Sequence, residues 1–236
     1  MRKITIITVT YNDSDALSQT INSLKAFRSL YHHYIIIDGD SKDGTLDIIK
    51  KNLDVVDKWI SEKDAGIYDA MNKGWALADI ESHVIYLGAG DKLLSLPAIE
   101  DDDQYNIIFG DVERESAGVF KSSVSYKLIL GNTIHHQALL IPKSINPPPP
   151  FDTKFKIYAD FDFNQRVYKR NITFKYNEKL RGFATLGGVS ETLNIIEMIS
   201  VTLKNYGLLA MSVSYLFLHY QSLKQNLKLR LKKFLK

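Results

Sequence analysis

The stretch His83-Val84-Ile85-Tyr86-Leu87-Gly88-Ala89-Gly90-Asp91 joins an apolar strand to a single carboxylate. His83 to Leu87 is rich in β-branched and aromatic side chains and reads as a buried strand. Gly88-Ala89-Gly90 then lets the backbone turn sharply, and Asp91 stands at the tip. In an open α/β sheet, ligands bind outside the carboxyl ends of the strands. An acid placed there, beside small residues, can hold a hard divalent cation that bridges phosphate oxygens. The plainer alternative is that Asp91 caps the next turn or helix.

A second acidic loop, Asp38-Gly39-Asp40-Ser41-Lys42-Asp43-Gly44-Thr45, lies after another apolar run. It lacks both the Gly-x-Gly-x-x-Gly of a dinucleotide fold and the Gly-Lys-Ser/Thr of a P-loop. Its acids would repel a phosphate lying on it. An acid at the end of a second strand instead accepts hydrogen bonds from ribose hydroxyls or a base N–H, which casts Asp38 as a nucleoside contact. A turn that uses Asp and Gly for backbone reasons is the alternative. Further along, His135-His136-Gln137 precedes an apolar strand. Adjacent strand residues face opposite sides, so one histidine packs while His136 or Gln137 faces the site. Asp160-Phe161-Asp162 opens a helix, where its two acids point in different directions and only one can face a substrate. Asp111, after Gly110, is a site candidate by position. Glu62 and Lys63 read as a solvated loop, and Trp59 and Trp75 as core.

The elements that must position these groups follow from periodicity. Lys3–Val9, Tyr34–Ile37, Lys58–Ile60 and His83–Leu87 read as strands. Between them lie a helix capped by Asp13 or Ser14, a helix opened by Thr45 and a helical segment from Ile67 to Ala78. That alternation predicts an α/β fold with a doubly wound, mainly parallel sheet. Right-handed crossovers gather the loops Thr10–Asp13, Asp38–Asp43, Glu62–Asp64 and Asp91 at one edge. In the second half, Ile107–Asp111, Val119–Val124, Ala138–Ile141, Thr173–Tyr176 and Lys179–Phe183 read as strands, with a helix from Asp160 to about Lys169. Pro147–Pro150 is a stiff extended linker, and Ser190-Glu191 can start a final helical region.

The chain has 236 residues, 45% of them hydrophobic and 24% charged, which suits one globular domain with an appendage. It has no cysteine, which excludes disulfides and thiolate metal sites. The apolar run after Met1-Arg2-Lys3 breaks at Tyr11-Asn12-Asp13 and reads as a strand rather than a signal peptide. The net charge of +3 is uneven, since no acid follows Glu197 while Lys204, Lys224, Lys228, Arg230, Lys232, Lys233 and Lys236 do. Such a tail points to an anionic partner, lipid or nucleic acid.

Thr8-Val9-Thr10-Tyr11-Asn12 and the Asp38–Thr45 loop resemble the opening motifs of family 2 glycosyltransferases of the GT-A fold. Asp64-Ala65-Gly66-Ile67-Tyr68-Asp69-Ala70-Met71-Asn72-Lys73-Gly74 is similar to a segment of that family's bacterial polysaccharide-building, O-antigen-type branch. Leu87–Asp91 sits where the family carries its Asp-x-Asp-like metal motif, and His136-Gln137, Asp160–Asp162 and Gly187-Gly188-Val189-Ser190 follow in order. The resemblance covers about residues 4–190 and implies an inverting sugar transfer from a nucleotide-sugar, UDP-linked, to a hydroxyl of a lipid-linked glycan. It places Thr10, Tyr11 and Asn12 in the nucleotide pocket, with Asp38 on uracil or ribose. Asp40, Asp64, Asp69 and Lys73 belong with the donor, and His136 and Gln137 with the acceptor or diphosphate. Asp91 would hold Mg²⁺ or Mn²⁺, and Asp160 takes the place of the catalytic base. The sequence departs from the family in keeping one acid, Asp91, where the metal motif usually has two.

The expected organisation is a catalytic domain over residues 1–190 and a basic helical region over 191–236. Tyr206 to Tyr220 is apolar but too interrupted to span a bilayer. Leu223, Leu227, Leu231, Phe234 and Leu235 then alternate with lysines at helical spacing, which suits an anionic membrane surface. Packing on the body or on a twin subunit is the alternative. The resulting expectation is a cytoplasmic enzyme peripheral on the inner face of the membrane, with no nucleic-acid partner. A non-catalytic sugar- or nucleotide-binding relative and a nucleotidyltransferase are the competing classes. Acids at both 91 and 160 weigh against the first, and the lack of a basic Gly-rich triphosphate loop against the second.

Overall fold

The computed structural model describes residues 2–146, 148–186 and 194–234, with side chains described to residue 224 except that of 222. The first half alternates β1 (Lys3–Thr10), α1 (Ser14–Lys25), β2 (His33–Asp38), α2 (Thr45–Lys51), β3 (Lys58–Ser61), α3 (Ile67–Leu77) and β4 (Ser82–Gly88). Then come β5 (Lys92–Ser95), β6 (Ile107–Arg114), β7 (Gly118–Phe120), α4 (Lys127–Leu130), β8 (Leu139–Pro142), α5 (Ala159–Lys169), β9 (Phe174–Ala184) and α6 (Ile195–Phe234). The strands form one mixed sheet in the order β3-β2-β1-β4-β8-β6-β9-β5, with β7 on β6.

β1 pairs in parallel with β2 and with β4, and β2 with β3. All four therefore end at the same edge. β8 runs antiparallel to β4, so its beginning, not its end, reaches that edge. The short helical turn His136–Ala138 precedes β8 and is delivered there. Because β1 alternates inward and outward, Ile7 and Val9 pack with Met71, Trp75, Phe161 and Phe163, while Ile4 and Ile6 pack with Leu17, Ile21 and Leu24. Helices on both faces explain why its residues are apolar on both sides.

Several expectations shift in detail. Asp13, not Ser14, caps α1, its Oδ1 accepting from the Ala16 N–H at 3.3 Å. The expected strand Val119–Val124 shrinks to Gly118–Phe120, because the Ser122 N–H goes to Asp111 Oδ1 instead of a ladder. The expected pair Thr173–Tyr176 and Lys179–Phe183 is one strand, β9, whose pairing with β6 slips between Phe109 and Asp111. Gly110 sits at that slip, where a Cβ would lie 1.8 Å from the Leu180 carbonyl oxygen. Trp59 lies on the edge strand β3 and is over one-third exposed, whereas Trp75 is core as expected. The expected helix start at Ser190-Glu191 and the Gly187–Ser190 motif lie outside the described residues. α6 begins at Ile195, after Asn194, whose Oδ1 accepts from the Glu197 N–H at 3.0 Å.

Candidate active site

Two groups of polar residues share the sheet edge. The first is built where β1 and β2 end. Thr10 and Asp38 are register partners, and the Thr10 carbonyl accepts from the Gly39 N–H at 2.9 Å. Asn12 adopts φ 49° and Asp40 φ 69°, left-handed conformations that Asn and Asp tolerate better than most residues. Asn12 stitches the two loops together, its N–H donating to Ser41 Oγ and its Oδ1 accepting from the Lys42 N–H, each at 2.7 Å. Asp38 is fully buried. Its Oδ2 accepts from the Ser41 N–H at 3.1 Å and from the Ser61 hydroxyl at 2.6 Å. Among the described residues its Oδ1 has no partner, nor does the buried Thr10 hydroxyl. A buried carboxylate oxygen without a donor is costly and awaits one.

Tyr11 and Asp64 close over the same loop. A Cβ on Gly39 would lie 2.8 Å from Asp64 Oδ2 and 3.1 Å from the Tyr11 ring. Tyr11 is largely exposed there, leaving a flat ring face beside the Asp38 loop. The remaining residues expected near the donor turn inward on themselves. Asp69 accepts from the Ala65 N–H at 3.0 Å. Lys73 binds the Lys63 carbonyl at 2.7 Å and Glu62 at 2.9 Å. Asp40 pairs with Lys42 at the surface. These three brace the loops, and Glu62 and Lys63, read as simply solvated, anchor Lys73.

The second group lies where β4 ends and β8 begins. β1 alone separates β2 from β4, which sets the two groups roughly 10 Å apart at ordinary strand spacing. Asp91 is buried, and burial pushes its carboxyl above the usual range against the pull of His136 and its hydrogen-bond donors. Asp91 Oδ2 accepts from the Gly88 N–H at 2.9 Å and the Gln137 amide at 3.1 Å, and Oδ1 from the Thr185 N–H at 3.2 Å. Gln137 Oε1 is buried without a partner among the described residues. His136 Nδ1 is 3.7 Å from Asp160 Oδ2. Burial lowers the His136 pKa, but Asp160 and Asp91 outweigh it and the net shift is upward. His135 instead packs edge-on against Phe120, and burial pulls it down to about 4, so it stays neutral.

The acids near Asp160 separate by partner. Asp162 is fully buried and accepts from Arg166 at 2.8 Å, Lys204 at 2.9 Å and Asn205 at 3.1 Å. That network ties α5 to α6 and gives each Asp162 oxygen a cationic partner. Asp160 is only partly buried and faces His136. Asp111 is likewise spoken for, by Lys121 at 2.6 Å, the Ser122 N–H and the Tyr176 hydroxyl. The site also contains Tyr68 and Asn132, which sequence reasoning missed. Asn132 donates to Asp160 Oδ2 at 3.3 Å, and the Tyr68 hydroxyl, whose proton goes to the Ile157 carbonyl at 2.6 Å, lies 3.2 Å from Asp160 Oδ1. Tyr68 lay inside a segment read for its helical spacing, with Asp69 and Lys73 singled out instead, and Asn132 sits in an irregular loop with no periodic signal.

A divalent cation would find limited protein ligands here. Among the described residues no three His, Asp or Glu side chains converge as a cage. Asp91 nonetheless has one acceptor position left of its four, and the unpartnered Gln137 Oε1 belongs to a side chain already bonded to it. Two oxygens of this kind suit Mg²⁺ or Mn²⁺, which take most of their shell from water and substrate phosphates.

Residues 5–91 match the family model described as glycosyl transferase family 2. A PGL/p-HBAD biosynthesis glycosyltransferase of Mycobacterium bovis is 26% identical over 204 residues, covering 80% of this chain and 79% of that protein. Among solved structures, S. aureus TarS aligns with a TM-score of 0.62 at 17% identity, covering 84% of this chain. A shorter TarS structure in complex with UDP-GlcNAc gives 0.61 at 17% identity, again over 84% of this chain. A mannosyltransferase from Pyrobaculum calidifontis, in complex with GDP-Man and Mn²⁺, gives 0.58 at 12% identity over 86% of this chain. The chain spans 39% of the longer TarS, 64% of the shorter and 63% of the mannosyltransferase. The structural likeness is one of fold, that of the GT-A glycosyltransferases. The family match and the named relatives together support a family 2 glycosyltransferase.

Proposed function

We propose that this glycosyltransferase moves a sugar from a UDP-linked donor to a hydroxyl of a lipid-linked glycan, inverting the anomeric centre. One observation carries the donor half of the reading: the fully buried Asp38 keeps an oxygen without a partner at the sheet edge. A nucleobase N–H, as on uracil, would fill it, with Tyr11 offering a stacking face. The TarS complex with UDP-GlcNAc lends weight to a UDP-linked donor. From Asp38 the diphosphate would run along the edge towards Asp91 and Gln137. A cation held by Asp91 and Gln137 Oε1 would offset charge growing on the leaving diphosphate.

Asp160 would act on the opposite side of the sugar. As the acceptor oxygen bonds to the anomeric carbon, its proton passes to Asp160 Oδ2 and the bond to the diphosphate breaks with its electron pair. His136, 3.7 Å from Asp160 Oδ2 and within the field of Asp91, would couple the charges of the two carboxylates.

The test is a panel of UDP-, GDP- and dTDP-sugars, read by thermal stabilisation and by release of the nucleoside diphosphate, with EDTA, Mg²⁺ or Mn²⁺. UDP-sugars should stabilise the protein most, and Asp91→Asn should remove the metal's contribution. Asp160→Asn should lower turnover by ~10²-fold or more while donor stabilisation persists. Full turnover by that variant would remove Asp160 from the role of base.

A further inference from the structure

The two oxygens of Asp160 live in different surroundings. Oδ1 accepts from the Phe161 N–H at 2.7 Å and lies 3.2 Å from the Tyr68 hydroxyl. That hydroxyl has one proton and a shorter contact, 2.6 Å, to the Ile157 carbonyl. Oδ1 is thus fixed to the backbone at the start of α5. Oδ2 is the oxygen on the His136 side, and among the described residues one hydrogen bond reaches it, from Asn132 Nδ2 at 3.3 Å.

The sense of that amide is itself determined. Asn132 Oδ1 accepts from Asn164 Nδ2 at 3.3 Å. Turning Asn132 over would set its carbonyl oxygen against the Asp160 carboxylate and its NH₂ against another NH₂. Asn164 is buried on α5, one turn beyond Asp160, so a rigid element supplies both ends of the relay.

The loop carrying Asn132 does not depend on the Asp160 contact for its own shape. The Ile129 carbonyl accepts from Gln165 at 2.8 Å and from Thr202 at 3.2 Å. The Leu130 carbonyl accepts from Ser214 at 2.7 Å. Thr133 and Ser123 exchange hydrogen bonds at 2.6 and 3.0 Å. With the backbone tied on both sides, the Asn132 side chain is not needed to hold its own loop; it bonds Asn164 and is aimed at a partly exposed carboxylate. We infer that Asn132, held by Asn164, is a positioning residue that sets Oδ2 of Asp160 for proton abstraction. This rests on the reading of Asp160 as the base.

The test compares donor hydrolysis, with water standing in for the acceptor hydroxyl, using the best sugar nucleotide from the panel. Asn132→Leu keeps the side-chain volume and removes both hydrogen bonds. Its kcat, read well below the variant's own midpoint, should fall ~10–100-fold, the range for a lost hydrogen bond to a charged group, with donor KM unchanged and the thermal midpoint lowered only by the loss of the Asn164 contact. In an Asp160→Asn background the same substitution should change nothing further, because its effect acts through Asp160. Asn132→Asp, which sets one carboxylate against another, should lose at least as much and covers the case where the leucine variant folds poorly. An unchanged kcat for both variants, or an equal fall in both backgrounds, would overturn the role of Asn132. Full activity of Asp160→Asn alone would instead overturn the base, whatever Asn132 does.

Discussion

At the residue scale, unmet hydrogen-bonding capacity distinguishes ligand-facing polar groups from structural ones. Asp38, Asp111 and Asp162 are all buried acids at or near the functional edge. Asp111 and Asp162 have both oxygens occupied by cationic or N–H partners. Asp38 alone of the three keeps an oxygen empty. Asp38→Asn is isosteric and leaves the Ser41 and Ser61 contacts with one acceptor oxygen, but it presents an NH₂ where a nucleobase N–H would dock. UDP binding should weaken ~10-fold or more, since two donors then oppose each other, while the thermal midpoint of the free protein changes little. Isothermal titration with UDP checks this. Unchanged affinity would mean that Asp38 serves its own loop, the turn reading that the sequence left open.

At the element scale, antiparallel β8 brings the His136–Gln137 turn to an edge otherwise made by parallel strands. It can lie there because β9 passes directly beneath it at Gly182. A Cβ on Gly182 would fall 2.4 Å from the Gln137 carbonyl oxygen and 2.8 Å from its carbon. Both are backbone atoms, so the turn itself would have to move. Gly182→Ala should therefore cost about 1–3 kcal/mol of stability by overpacking, and should lower turnover by far more than the lost stability explains. Measuring kcat at a temperature well below the variant's own midpoint separates the two. The parallel half of this arrangement was readable in the sequence because β1, β2 and β4 are continuous apolar runs ending in polar loops. β5 and the join across β9 were not. Lys92–Ser95 is four residues long, too short for a period to show. β9 is continuous because Gly110 on its neighbour makes room for it, a long-range fact that local pattern does not carry. The same limit hid Asn132, whose role exists only once α5 and α6 bring its loop to Asp160.

At the scale of the whole molecule, α6 has two different apolar faces. It breaks at Gly207, where φ is 82° and ψ −177°. Beyond the break, Ser214, Phe217 and Leu218 pack on the α4 loop. On the other side Leu209 is 82% exposed, Leu216 67%, Tyr220 61% and Leu223 51%, with Leu208 and Val213 beside them. No helix among the described residues is long and apolar enough to cross a membrane. No charged residue falls between Lys204 and Lys224, and the charges that follow are all basic. A second copy laid in parallel along this face would bring two lysine runs together without an acid to relieve them. An anionic bilayer surface would accept both the apolar face and the lysines. The face begins at Leu208, well before the Leu223–Leu235 segment in which the sequence suggested it, and side chains past 224 lie outside the described residues. The chain should therefore sediment with vesicles containing anionic phosphatidylglycerol and much less with neutral phosphatidylcholine. Leu209→Glu with Leu216→Glu should weaken binding ~10-fold or more, given about 1.5–3 kcal/mol for each fully buried leucine. High salt should weaken the remainder, which is carried by lysines. Undiminished binding by the double variant would exclude this face. A dimer in light scattering that the same variant dissolves, without vesicle binding, would assign the face to a second copy.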